Sequence, residues 1–351
     1  MTAIPAIAGV VSAGQIHATG AAIAAMQEES GALPWFPGGQ TDPWDHIESA
    51  MALSVTGFVA EAQAAYEWSR RTQRADGSWP IRIVNGHIED DGVDSNFCAY
   101  IAVGVWHHYM ITGDLRFLER MWPMVWSAME CVLRFQRSDG VFRWGGDHHT
   151  GAMFSEAQIT GNASIFQSFD CAIRIAAEMD QDDSLWVAAH TVLGDALRAD
   201  VAREEFEIFV PPSEHSMDWY YPVLGGAVRG KLGQELIASR WNDFVVPELG
   251  TRCVDHRPWV TGAETSELAL ALDALGDTAD AIELIKSIQH LRDPDGSYWT
   301  GLVYADGKRW PVEKSCWTSA AVVLAVDAVS RTSVGNGIFR DVRHRLSARV
   351  G

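Results

Sequence analysis

Residues 42–53 read Asp42-Pro43-Trp44-Asp45-His46-Ile47-Glu48-Ser49-Ala50-Met51-Ala52-Leu53. Asp42 is placed to cap a helix that begins at Pro43, because proline at the first helical position gives up a donor that had no partner there. Asp45 and Glu48 then fall three residues apart on one side of the opening turns, while Ala50, Met51 and Leu53 carry an apolar body inward. The same grammar recurs at Thr261-Gly262-Ala263-Glu264-Thr265-Ser266-Glu267-Leu268-Ala269-Leu270-Ala271-Leu272, where Glu264 and Glu267 repeat the i, i+3 pair. Two carboxylate-bearing helix mouths so far apart in the chain meet only if the chain closes on itself.

The closure is readable in the periodicity. A helical reading gives long periodic segments and almost no alternating strand pattern. Six apolar helices are expected to open near Trp44, Ser95, Asn162, Met217, Ala263 and Lys314, each joined to a more amphipathic partner. A helix apolar around most of its surface must be enclosed, and one with a polar face lies outside. Six inner and six outer helices at a period of roughly fifty residues predict an all-α fold, the (α/α)6 toroid, as a single catalytic domain over 1–332 with a polar tail over 333–351. The long connections enter the inner helices, where loops beyond about a dozen residues are usually functional. Asp45, Asp94, Asn162, Asp218, Glu264 and Glu313 are therefore expected at one mouth.

Composition narrows the function. The chain has 351 residues and is 47% hydrophobic, enough for a large core. Its 46 acidic against 27 basic residues give a net charge of −19, which excludes nucleic acid and an anionic membrane surface as expected partners. No apolar run reaches the roughly eighteen residues that span a bilayer, and the N-terminus lacks the basic region of a signal peptide. Five scattered cysteines without Cys-x-x-Cys spacing suit reduced thiols in a cytoplasm. Fifteen tryptophans supply aromatic platforms of the kind that hold sugars.

Paired carboxylates across a tryptophan-lined cleft are what glycoside hydrolysis requires: one acid protonates the leaving oxygen and one carboxylate activates water on the opposite face. An inverting pair stands about 6.5–9.5 Å apart to leave room for that water. Asp45 is read as the general acid, with Glu48 and the Asp90/Asp91/Asp94 group to raise its proton affinity, and Glu264 as the general base; Asp94 is the reserve candidate. Substrate contacts are expected from Trp44, His46, Glu48, Asp94, Asn96, Trp144, His148, Asn162, Trp219, Tyr220, Trp259, Glu267 and Trp317. No metal and no cofactor is expected: His148 and His149 lack a spaced third ligand. The turns Asp76-Gly77, Asp139-Gly140 and Asp295-Gly296 are turn chemistry, with Trp79, Trp144 and Trp299 beside them as rim or platform residues.

The six-hairpin layout, the Pro43–Ser49 opening, and Asp94-Ser95-Asn96 feeding a helix with Tyr100 resemble the (α/α)6 glycosidases, the glucoamylase and trehalase relatives. More narrowly, Pro34-Trp35-Phe36-Pro37-Gly38-Gly39 ahead of the mouth resembles the actinobacterial hydrolases of methylmannose polysaccharide. That resemblance implies an intracellular endohydrolase of a partly O-methylated α-1,4-mannan, with a polysaccharide or oligosaccharide as its partner; the sequence leaves open whether the chain is a homo-oligomer. Trp44, Trp219, Tyr220, Trp259 and Trp317 would offer such a sugar apolar faces. Two other readings stay open. One is a prenyltransferase or terpene-cyclase-like toroid, for which Glu89-Asp90-Asp91 and Cys253/Asp255/His256 would matter. The other is a sugar epimerase using His46, His148 and His256.

Overall fold

The computed structural model describes residues 3–203, 208–211 and 213–343. Among them the chain is mostly helical: α1 (Ala13–Met26), α2 (Pro43–Thr56), α3 (Val59–Thr72), α4 (Ser95–Ala99), α5 (Ile101–Thr112), α6 (Leu115–Leu133) and α7 (Ile159–Glu178) form the first half. The second half holds α8 (Ser184–Arg203), α9 (Met217–Leu224), α10 (Gly230–Phe244), α11 (Gly262–Leu275), α12 (Thr278–Ser287) and α13 (Cys316–Ser330).

The helices divide by burial as the apolar pattern requires. Every residue of α2 except Trp44 is buried, and α11 and α13 are buried along nearly their whole length. In α3 and α12 the apolar side alone turns inward. The enclosed helices contact one another in a cycle: α2 meets α5, α5 meets α7, α7 meets α9, α9 meets α11, α11 meets α13, and α13 returns to α2. The amphipathic helices α1, α3, α6, α8, α10 and α12 each pack on one of them. One continuous apolar core, including Ile47, Met51, Phe166, Leu268 and Val322, fills the interior.

Local breaks interrupt the pattern. The apolar helix that opens near Ser95 is divided at Tyr100 into α4 and α5. The one that opens at Met217 stops at Leu224, because Pro222 removes a donor and Gly226 turns to φ 96°. The partner of the helix near Ala263, α12, ends at Ser287 and continues as a 3₁₀ turn, Gln289–Leu291. Residues 333–343 of the expected tail pack back on the helices through buried Ile338, Phe339 and Val342, and the rest of that tail lies outside the described residues.

The connections also contain short antiparallel strands, two to four residues each, too short to show alternation in sequence. They have a local purpose. Gln40–Thr41 leads into α2, Val93–Asp94 leads into α4 and pairs with Gly145–Gly146, and Trp259–Thr261 leads into α11. The last is the central strand of a five-stranded sheet whose other members include Gly250–Arg252 and Gly301–Val303. Each strand ends at a helix N-terminus, so its ladder fixes where the first helical turn points.

Candidate active site

Asp42 starts the site. Its Oδ1 accepts from Asp45 N at 2.9 Å, closing the helix cap, and its Oδ2 accepts from the Trp35 indole at 2.7 Å. The cap fixes the first turn of α2, which sets Asp45 at the mouth and Glu48 one turn deeper. In α11 the same spacing sets Glu264 in the first turn and Glu267 one turn deeper. Exposure follows that depth: Asp45 keeps 8% and Glu264 4%, against 1% for Glu48 and for Glu267. The shallow member of each pair is the one nearer solvent.

The two helix mouths share one network of charge. Asp45 lies within interaction range of Asp42, Glu48 and Glu267, and Glu267 lies within range of Glu264. Tyr221 donates its hydroxyl to Glu267 Oε1 at 2.9 Å, and Tyr220 donates to Oε2 of the same carboxylate. Trp44 packs on Tyr100 at 5.7 Å and edge-on against Tyr221 at 5.5 Å, closing an aromatic wall above the carboxylates. Trp317 lies beside both Glu48 and Glu267.

Burial decides the proton affinities. Asp45 is pushed well above the ordinary carboxyl value, first by burial and then by the charges of Asp42, Glu48 and Glu267. A carboxyl–carboxylate contact with Asp42 further favours its protonated form. Glu48 is pushed well up by burial and by Glu267, and burial with the nearby Glu264 charge raises Glu267 to about 8. Burial raises Asp94 to about 7, against the hydrogen bonds that Phe97 and Asn96 donate to it. Glu264 stands in the first turn of α11. Trp44 Nε1 lies near the Tyr100 hydroxyl, Ser49 Oγ near the Cys316 thiol and Trp317 Nε1 near both Glu48 and Glu267, so these polar atoms line the same basin.

Several residues expected at this mouth are committed elsewhere. His46 accepts from Leu33 N at 3.1 Å and meets Ala65 O at 3.0 Å, so main chain takes both ring nitrogens, and burial lowers its pKa to about 4. Asn162 spends its amide on Phe142 N, Phe142 O and Gln158 O. Trp219 donates to Leu236 O and stacks on Phe244, toward α10. Asp218 accepts from Thr160 and from Ser213 N. Trp144 stacks on Phe154 at 4.6 Å, and His148 stands 3.4 Å from Asp76 in a cavity shared with Arg134 and Cys131. Asp94 caps α4 and feels the charge of Asp42, while Asn96 has a buried Oδ1 without a hydrogen bond to any described residue. Trp259 donates to Trp310 O at the half-exposed rim.

Other residues enter without having been singled out. Trp35 anchors Asp42, Tyr221 anchors Glu267, the Cys253 thiol faces Glu264, and Cys316 and Ser49 stand beside Asp45. The adjacent Tyr220-Tyr221 pair just after an inner-helix start was the one sequence signal for this group. Of the Cys253/Asp255/His256 set, His256 Nδ1 meets Asp255 Oδ1 at 3.1 Å, but Asp255 is also paired with Arg240 at 2.7 Å and Cys253 turns to Glu264.

No protein-family model matches the chain. Among curated proteins it is 55% identical over 342 residues to the MMP endo-(1,4)-3-O-methyl-alpha-D-mannosidase of Mycolicibacterium hassiacum, covering 97% of this chain and 93% of that protein. Among solved structures, a wild-type glycosidase aligns with a TM-score of 0.69 at 17% identity, covering 93% of this chain and 97% of that one. A D-mannose isomerase aligns with a TM-score of 0.69 at 10% identity, over 91% of this chain and 97% of that one. A rhamnosidase from Klebsiella oxytoca with rhamnose bound gives 0.64 at 14% identity, over 93% and 66%. At these identities the structural likenesses speak to the fold alone.

Proposed function

This chain belongs to the family of the MMP endo-(1,4)-3-O-methyl-alpha-D-mannosidase and is a glycoside hydrolase; from that premise we propose that it cleaves internal bonds of an α-1,4-linked, partly 3-O-methylated mannan with inversion. Asp45 is the general acid and Glu264 the general base. The cyclic packing of the enclosed helices is read as the (α/α)6 toroid, whose mouth is the carboxylate basin.

The observation that carries this reading is the repeated i, i+3 pair on α2 and α11, joined through Glu267 into one buried network. Asp45 sits where burial and the acidic side chains of Asp42, Glu48 and Glu267 push its proton affinity well above the ordinary carboxyl value, the direction that protonating a glycosidic oxygen requires. Glu264 sits in the first turn of α11, on the other helix mouth, the place from which a base would draw a proton from water. Glu48 and Glu267 stand too deep to reach the bond. They raise Asp45's proton affinity, and with Trp44 and Trp317 they offer hydrogen bonds to sugar hydroxyls. The aromatic wall of Trp44, Tyr100 and Tyr221 suits the apolar face that O-methylation gives a mannose unit.

The test is product analysis on α-1,4-glucan, α-1,4-mannan and its 3-O-methylated form, with the anomer of the first products followed by NMR. Early release of internal fragments as β-anomers from the methylated chain is expected. Release of single sugars from an end, or of α-anomers, contradicts endo cleavage or inversion respectively.

A further inference from the structure

A groove of ≈640 Å³ lies between the C-terminal half of α1 and the loops around residues 36–37, 295–299 and 312–314. Two chain segments join it to the carboxylate basin. Trp35, whose indole holds Asp42 and stands 6.3 Å from Trp317, is followed directly by groove residues Phe36 and Pro37. On the facing segment, groove residues Glu313 and Lys314 directly precede Ser315, the cap of α13, and Cys316 N donates to Trp35 O at 2.7 Å to tie the segments together.

The lining is mixed. Ala22, Ala25 and Phe36 make an apolar wall. Opposite stands Trp299, fixed by its indole donating to Asp293 at 3.2 Å and by Lys314 lying 5.2 Å from the ring. Lys314 is itself neutralised by Asp293 and Asp295 at 2.6 and 2.8 Å, so the charges there are mutually satisfied. The exception is Glu313, a groove carboxylate that makes no hydrogen bond or ion pair with a described side chain and is raised by burial. A fixed indole, an apolar wall and one free carboxylate are what a sugar with both a methyl ether and free hydroxyls requires.

We propose that this groove is a distal subsite that binds 3-O-methylmannose units of the chain being cleaved, the methyl ethers lying on the apolar wall and a hydroxyl donating to Glu313. The inference rests on the substrate class proposed above, and its main support is that the two segments holding Trp35 and Cys316 at the basin carry Phe36, Pro37, Glu313 and Lys314 directly into this groove. It also supplies what internal cleavage needs, a hold on the polymer beyond the units at the reacting bond.

The experiment separates groove from catalysis by using binding. In the Asp45→Asn background, dissociation constants for an intact 3-O-methylmannan chain and for a trisaccharide of the same units are measured by calorimetry, with and without Ala25→Trp. That substitution fills the groove from an exposed helix surface. Trp299→Ala serves as a second variant. Expected is about a tenfold weaker affinity for the intact chain in either variant, with the trisaccharide unchanged. Unchanged affinity for the intact chain, or equal weakening for both ligands, overturns the subsite. Turnover of the same intact chain by the unsubstituted enzyme tests the hydrolase reading independently of this ratio.

Discussion

Asp45 illustrates how a single residue acquires its chemistry from depth and neighbours. Asp42→Asn keeps an effective helix cap but removes one of the anions that raise Asp45. The alkaline limb of kcat/KM is therefore expected to move to lower pH in this variant with little change in melting temperature. Asp42→Ala is expected to lose about 1 kcal/mol of stability as well. A pH–rate profile beside thermal melts checks both.

The deeper carboxyls govern stability against pH. Glu267 rises from 4.5 to about 8 on folding, so between those values the unfolded chain has released a proton that the folded protein retains. Stability from this group is full below the unfolded value and is lost as pH rises through the folded one. His46 and His108 fall from 6.5 to about 4, so their contribution is full above 6.5 and is lost as pH falls toward 4. Above pH 6.5 only the carboxyls act, and the melting temperature is expected to fall between pH 6.5 and 8. Glu267→Gln is expected to flatten that fall; an unchanged slope would show that the carboxyl is ionised in the folded protein. At this scale the sequence disclosed the paired acids but not which way their neighbours face. In a helix apolar all round, periodicity carries no phase, so His46, Asn162 and Trp219 read like basin residues although their polar atoms are spent on main chain.

At the scale of elements, caps and close approaches do the positioning. The Asp42-Pro43 start and the Gly57 end of α2 were readable, because cap chemistry is local. The short strands that aim α2, α4 and α11 were not, since their pairing partners come from distant segments. Helix contacts also depend on glycine: a Cβ on Gly225, at the end of α9, would lie 2.1 Å from the Ala163 carbonyl oxygen of α7. Backbone cannot yield there, so Gly225→Ala is expected to destabilise by roughly 1–3 kcal/mol in urea unfolding. Gly14→Ala, near the start of α1 with nothing within 4 Å of the added methyl, is the control and is expected to be neutral or stabilising.

For the whole molecule, the decisive feature is that the last enclosed helix packs on the first, α13 on α2, with α1 laid over α13. The order of apolar and amphipathic segments made that closure legible, because each enclosed helix needs cover on every side. The stitching by the C-terminal segment was not legible, since it rests on single long-range ion pairs. Asp273 on α11 accepts Arg331 at 2.7 Å and Arg340 at 2.9 Å, and Asp170 on α7 accepts Arg343 at 2.6 Å. Asp273→Ala is expected to lower stability by about 1–3 kcal/mol, less than a fully buried pair because both arginines keep solvent. Calorimetry should still show one cooperative transition. In the proposed mechanism the closure brings Asp45 and Glu264 to one glycosidic bond, and the most direct measurement is turnover of 3-O-methylated α-1,4-mannan by Asp45→Asn and by Glu264→Gln, each with an unchanged circular dichroism spectrum. The account predicts a loss of about a hundredfold or more in kcat for each variant; near-normal kcat in either one would contradict it.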